Sequence, residues 1–492
     1  MNYKLTDEQN NILDKIRLKD VVSVNAYPGT GKTFTLVKVA EDNPYSKILY
    51  LAFNKHSVDE AKLKLPSNVT VMTTHSLAYE GTKSLHKGNV RGDVSISEVV
   101  SLLNLNYTEA ELVLETFNKF LASNYNDINV EIVSSLLDDV SKFVMSINKL
   151  DIERLTTLVK QLFKLIYNGM LNGFPHSFYL KYFQLKKNKI KKFDMLLVDE
   201  AQDTNDVTFS IIDKIEAKKV IVGDTHQQIY RNLRYSSLNL SSVSNEVNYL
   251  TKSFRLKQSS AEYAYNFIKL FKNEQHPIVG ISSESSTKNK AFISRTNSTL
   301  IEEFDRRIKD DVTFIRDPRL IFSTAIDVMY FIEKYRDKIT NPLLRSLNNL
   351  KDLEELRSFD REIDKAYNIA EQYGLRLLDL RSEAIRKFNA KKSKEVLTTA
   401  HSVKGLEFDE VTIGNDFPDI ISEIASLKIN NLNDFYKNSD SKLIDEINTY
   451  FVAVTRSRNV LNNINLDYEL SLNEINNRLS INHDIREALK NK

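Results

Sequence analysis

An apolar run, Val21-Val-Ser-Val-Asn-Ala26, opens directly onto Tyr27-Pro-Gly-Thr-Gly-Lys-Thr33, and the residues after it have helical character. Few features restrict a fold more. A buried strand that ends in a glycine-rich turn and feeds a helix predicts an α/β domain with a parallel sheet, whose ligands gather at the carboxyl ends of its strands. Gly29 and Gly31 let backbone N–H groups turn inward around phosphate oxygens, and the following helix presents its positive end to the same anion. Lys32 then reaches the β- and γ-phosphates and Thr33 supplies a hydroxyl to Mg²⁺, the pattern of a phosphate-binding loop with Ala26 in its first glycine position. Ala26, Tyr27, Pro28, Gly29, Thr30, Gly31, Lys32, Thr33 and the adjoining Phe34 are therefore the expected nucleotide contacts. A chance glycine turn is the competing reading, and the strand before and helix after argue against it.

The second half of such a site is an acidic strand end, which Leu196-Leu-Val-Asp-Glu-Ala-Gln-Asp203 supplies. Asp199 is expected to hold Mg²⁺ through water, and Glu200 to orient and deprotonate the attacking water. Taken alone, Asp-Glu could equally open a solvated helix. Following an apolar strand and paired with the loop, it reads as catalytic.

At 492 residues the chain is too long for one hydrophobic core, so more than one domain is expected. Strand-like runs recur at Val21 to Ala26, Lys47 to Phe53, Val69 to Thr74, Met195 to Asp199 and Val220 to Asp224. A second set follows at Ala291 to Arg295, Val312 to Ile315, Val396 to Ala400, Val411 to Ile413 and Val460 to Leu466. Between the third and fourth strands, and again between about Leu320 and Lys392, the pattern turns helical. The expectation is two parallel-sheet α/β domains, each interrupted by helices: residues 1–90 with 186–245, interrupted by 91–185, then 246–318 with 393–492, interrupted by 319–392.

Composition narrows the class without choosing a partner. With 68 basic against 66 acidic residues, any grip on a phosphate backbone must come from local arrangement of charge. The absence of cysteine excludes disulfides and thiolate metal sites and suits a reducing, cytoplasmic setting. No apolar run is long enough to cross a bilayer, so no membrane association is expected. The basic run from Leu185 to Lys192 beside Tyr179, Tyr182 and Phe183 reads equally as the lining of a single-strand channel or as a solvated linker.

The order of the remaining motifs resembles the UvrD/Rep branch of superfamily 1 helicases, from Leu5 to about Leu461. Leu5-Thr-Asp-Glu-Gln9 is similar to that family's adenine-reading segment, which implies Gln9 on the base. Tyr50-Leu-Ala-Phe-Asn-Lys55 and Thr73-Thr-His-Ser-Leu77 resemble segments that meet single-stranded DNA, implying Phe53, Asn54, Lys55, Thr73 and His75. Val222-Gly-Asp-Thr-His-Gln-Gln-Ile-Tyr230 places Gln227 as a γ-phosphate sensor, and Ser253-Phe-Arg255 places Phe254 on adenine and Arg255 on the γ-phosphate. Thr398-Thr-Ala-His-Ser-Val-Lys-Gly-Leu-Glu-Phe408 implies Glu407 at the ribose, with Thr399 and His401 at DNA. Tyr450-Phe-Val-Ala-Val-Thr-Arg-Ser-Arg458 makes Arg456 the arginine finger. The same resemblance adds Arg295 and Tyr235 to the DNA contacts.

Within the branch, His176 to Leu185, Ala52-Phe-Asn-Lys55 and Gly223-Asp-Thr-His-Gln-Gln228 are most similar to the F-box type DNA helicases. The chain departs from the wider pattern at Phe34, where an arginine is usual, at Arg231 to Tyr235, which lacks Trp-Arg-Gly, and at Ile447 and Asn448. The resemblance implies two RecA-like domains, ATP and Mg²⁺ as cofactors, and a monomer moving 3′ to 5′ on single-stranded DNA in replication, repair or recombination. RNA stays open as a track. The alternative is a nucleic-acid-gated ATPase that recruits a protein partner such as a nuclease or replication factor. Cytoplasm is the expected location, with a viral protein in host cytoplasm or a nucleoid-associated one as alternatives.

Overall fold

The computed structural model describes residues 4–480 apart from 149, 187–189, 230–239, 241–242, 245, 284–287, 391–392, 428, 430 and 438–440. Its frame is two parallel sheets. The first comprises β1 (Val21–Ala26), β2 (Ile48–Ala52), β3 (Val69–Thr73), β4 (Met195–Val198), β5 (Lys218–Gly223) and β6 (Val247–Leu250), in the order β3-β2-β4-β5-β1-β6. The second comprises β7 (Lys290–Ser294), β8 (Val312–Phe314), β9 (Glu395–Thr399), β10 (Phe408–Ile413) and β11 (Ser457–Asn462), in the order β8-β9-β7-β10-β11. All neighbours in both sheets run parallel. This is the expected α/β architecture of two RecA-like domains.

Central strands β2 and β4 are buried throughout, which is why they read as unbroken apolar runs. Strand β6 differs: Val247-Asn-Tyr-Leu250 alternates half-buried and buried residues at the sheet edge, so it lacks the run that marks the others. Strand β11 begins directly after Arg456, three residues before the segment its apolar content suggests.

Between β3 and β4 the chain folds into helices, among them Tyr107–Ala122, Asp139–Asn148, Ile152–Tyr167 and His176–Leu185. In Tyr107–Ala122, Asn106 caps the first turn by accepting from the Glu109 N–H. Ala110, Val113, Phe117 and Phe120 recur at helical spacing and face Leu155, Val159, Leu162 and Phe178 in a separate apolar cluster. The helices between β8 and β9, from Pro318–Ile332 to Arg376–Ala390, are built differently. They share one cluster with Phe292, Val312, Phe314 and Leu397 of the second sheet. No helix among the described residues is long and apolar enough to cross a membrane.

Candidate functional site

The phosphate loop leaves β1 at the buried Ala26. Gly29 and Gly31 take φ of +74° and +84°, a left-handed backbone that strains any residue with a Cβ, and a Cβ on Gly29 would also run into Arg255. Gly31 caps the helix Lys32–Glu41, and Thr30 donates to the Tyr27 carbonyl at 2.8 Å to close the turn. The loop is stitched to the segment after β6: Ser253 donates to the Pro28 carbonyl at 2.7 Å and the Phe254 N–H to the Gly29 carbonyl at 2.9 Å. Tyr27 keeps only its backbone with its own sheet, its N–H donating to the Leu250 carbonyl at 3.1 Å. Its ring lies in the apolar cluster of the second domain and its hydroxyl donates to the His276 carbonyl at 2.9 Å.

Beneath the loop, β4 delivers the two carboxylates. Asp199 Oδ2 accepts from Thr33 Oγ1 at 2.9 Å and from the Tyr50 hydroxyl at 2.7 Å, while its Oδ1 takes the Glu200 N–H. Glu200 adopts φ of +51°, an uncommon conformation for a non-glycine residue. Its Oε2 accepts from Lys32 Nζ at 2.9 Å and from Gln202 Nε2 at 2.6 Å. Burial works to raise the Glu200 pKa, but Lys32, Lys404 and Gln202 outweigh it and hold the carboxyl down at about 2. Asp199 moves the other way, raised by burial and by the neighbouring Glu200. Burial opposes charge on Lys32 as well, yet the carboxylates of Glu200, Asp224 and Asp199 raise its pKa. Thr33 and Asp199 are the oxygen ligands that Mg²⁺ takes beside nucleotide phosphates, and their adjacency fits that ion.

The third part of the site crosses between domains. Gln227 donates to Asp224 Oδ2 at 2.6 Å and accepts from Arg456 Nη2 at 2.7 Å. Arg456 is almost fully enclosed, with Nε on the Val452 carbonyl at 3.0 Å. Burial and the nearby Arg255 lower its pKa to about 9, which leaves it charged at neutral pH. Glu407 pairs with both Arg255 and Arg458. Lys404 reaches from the second domain to Asp203 at 2.6 Å and to the Gln227 carbonyl at 2.7 Å.

Of the proposed adenine contacts, Gln9 is buried and closes a capping box with Thr6, while its Nε2 donates to Thr35 Oγ1 at 3.2 Å beside the loop. Phe34 lies under the Lys38 ammonium and Phe254 is half exposed beside Gly29.

The residues expected at DNA divide into two groups. Phe53, Asn54 and His75 line a cleft of about 470 Å³ with Asn118, Leu121 and Ser177 of the first insertion and with Asp199 and Asp203. His75 meets Tyr179 edge-on, at 6.3 Å between ring centroids. Lys55 is exposed nearby. Asn54 and Thr73 also cap helices, accepting from the Ser57 and Ser76 N–H groups. In the second domain, Thr399 is buried and bonded to Ser402, and His401 is kept to about 4 by burial and Arg295. Arg295 itself makes a two-point pair with Glu446, both contacts at 2.7 Å, and lines no part of the Phe53 cleft. Tyr235 lies outside the described residues.

Tyr50, Gln202, Asp224 and Lys404 take part in the site without having been singled out. Gln202 stands in the acidic strand-end segment, and Asp224 and Lys404 stand in segments that carry the family resemblance. Tyr50 opens a segment that resembles a DNA contact, yet nothing there points to the nucleotide site, because a tyrosine in a buried strand reads as packing.

A phosphate loop and an acidic strand end on one RecA-like sheet, faced by arginines from a second, define a two-domain fold of the P-loop nucleotide-binding class. A family model described as an AAA domain matches residues 9–232. The chain is 29% identical to F-box DNA helicase protein 1 of Schizosaccharomyces pombe over 92% of its own length and 56% of that protein, and 28% identical to F-box DNA helicase 1 of Gallus gallus over 93% and 49%. It thus spans about half the length of the curated relatives it matches. In sequence and fold the chain is similar to superfamily 1 helicases of the UvrD/Rep type.

Proposed function

We propose that this chain is an ATP-driven DNA helicase or translocase that moves along single-stranded DNA, 3′ to 5′, in replication, repair or recombination. The observation that carries the reading is the 2.7 Å bond from Arg456 to Gln227 across the domain boundary, beside the cluster of Lys32, Thr33, Asp199 and Glu200. The relatives' printed names supply DNA as the track.

With ATP on the loop, Lys32 exchanges Glu200 for the phosphates, which frees that carboxylate to orient and deprotonate the attacking water. Thr33 and Asp199 hold Mg²⁺, which neutralises charge on the phosphates when bound. Arg456 and Arg255 stabilise the charge on the transferring phosphoryl group, and Gln227 senses its presence. Because ATP then touches both domains, it favours the closed cleft, and hydrolysis removes that bias. Asp199 and Asp203 border both the nucleotide site and the Phe53 cleft, so a shift there reaches a bound strand.

The test is steady-state ATPase of wild type and Glu200→Gln, with single-stranded DNA or RNA of graded length. The reading expects stimulation that grows with DNA length and vanishes in the variant. Hydrolysis indifferent to nucleic acid would sink it, and stimulation independent of length would favour a gated switch over a motor.

A further inference from the structure

The four-residue turn Thr225–Gln228, which follows β5, is gripped residue by residue from the second domain. Lys272 donates to the Thr225 carbonyl at 3.1 Å, and Asn448 donates to the Gln228 carbonyl at 2.9 Å while accepting from Lys272 at 2.8 Å. Arg456 holds the Gln227 side chain. The remaining residue, His226, is held by Glu274, with Nε2 and Oε2 3.0 Å apart.

Glu274 is built for this task. The helix Gln258–Lys272 ends at Asn273 in the left-handed region, φ +52°, which turns the chain back toward the first domain. One carboxylate oxygen of Glu274 is fixed at home by the His276 ring at 2.9 Å and by the backbone N–H groups of Gln275 and His276. The other is thereby aimed at His226. That ring is buried between Tyr27 of the phosphate loop, at 5.8 Å, and Phe451, at 5.6 Å, and its Nδ1 has no hydrogen-bond partner among the described residues. The flanking rings set its plane, and the hydrogen bond with Glu274 ties its Nε2 edge to the second domain.

We propose that Glu274 is a positioning residue for ATP hydrolysis: by holding His226 across the domain boundary it fixes the turn that presents Gln227 to Arg456 and to the γ-phosphate. This rests on the ATPase reading given above. The pair makes the turn respond to domain closure at His226 independently of the nucleotide, so that Gln227 is in place before hydrolysis begins.

The test combines turnover with backbone exchange. Glu274→Ala is expected to lower the DNA-stimulated kcat about tenfold with KM for ATP within about twofold, because it displaces a group that acts in the transition state. Glu274→Gln keeps an acceptor at the same place and is expected to restore most of the loss. In a Gln227→Ala background, Glu274→Ala should cost nothing further. An unchanged kcat, a rise in KM alone, or an equal loss with and without Gln227 would overturn the proposal. Should Glu274→Ala not fold, His226→Ala carries the same cycle from the other domain. Hydrogen exchange of the peptide 224–229 in the nucleotide-free protein does not depend on turnover: faster exchange in Glu274→Ala supports the proposal and equal exchange overturns it. A wild type without ATPase would instead remove the functional reading and leave the exchange result to judge Glu274.

Discussion

Tyr50 shows what a single side chain adds to a site whose main residues are obvious. It sits on β2, next to β4, and its hydroxyl meets the same oxygen of Asp199 that Thr33 binds. Removing a hydrogen bond from behind a metal ligand costs about 10- to 100-fold in metal affinity, so Tyr50→Phe should raise the half-saturating Mg²⁺ for ATPase by about tenfold and weaken Mn²⁺ binding measured by electron paramagnetic resonance with ADP present. The substitution keeps the ring in a fully buried position, so unaltered metal affinity would show that Asp199 is oriented without it. Lys32, Asp199 and Glu200 were legible from spacing because phosphate chemistry demands those residue types after a strand. Tyr50 was not, since its role depends on which strand lies beside β4, and strand order is a property of the fold. Gln9 is at once part of a helix cap and a neighbour of the loop.

At the scale of elements, periodicity revealed most strands and both helical interruptions but said little about how the interruptions pack. The first insertion has a core of its own, in which Phe117 is fully buried and meets Phe163 edge-on. Phe117→Ala leaves a cavity among Leu155, Val159 and Leu162, for which a loss of about 3–5 kcal/mol is expected from the denaturant midpoint. A loss below about 1 kcal/mol would mean that the cluster collapses around the gap, contrary to the close packing described. The second insertion shares its core with β7, β8 and β9, a continuity that helical spacing could not disclose because spacing reveals which face is apolar and not what covers it. Cleft-lining Asn118 and Ser177 were hidden for the same reason: they are ordinary polar positions until the insertion folds over the first sheet.

The whole molecule is held together by a boundary that charged groups cross, and Glu274 makes that boundary sensitive to acid. His226 and His276 face its carboxylate from the two domains, and Tyr27 of the phosphate loop lies beside it. Burial raises the Glu274 pKa, but the hydrogen bonds from His226 and His276 prevail and lower it from 4.5 to about 2. A carboxyl whose folded-state pKa is depressed contributes stability that is complete above its unfolded value, and that contribution fades as pH falls through the folded one. Wild type should therefore exceed Glu274→Gln in melting temperature above pH 4.5, with the gap closing as pH falls toward about 2. Thermal unfolding of the two proteins across that range measures it directly. A gap that stays constant from neutral pH down to about 2 would show that Glu274 gains nothing from its partners, and that closure of the two domains relies on Arg456, Lys404 and Asn448 instead.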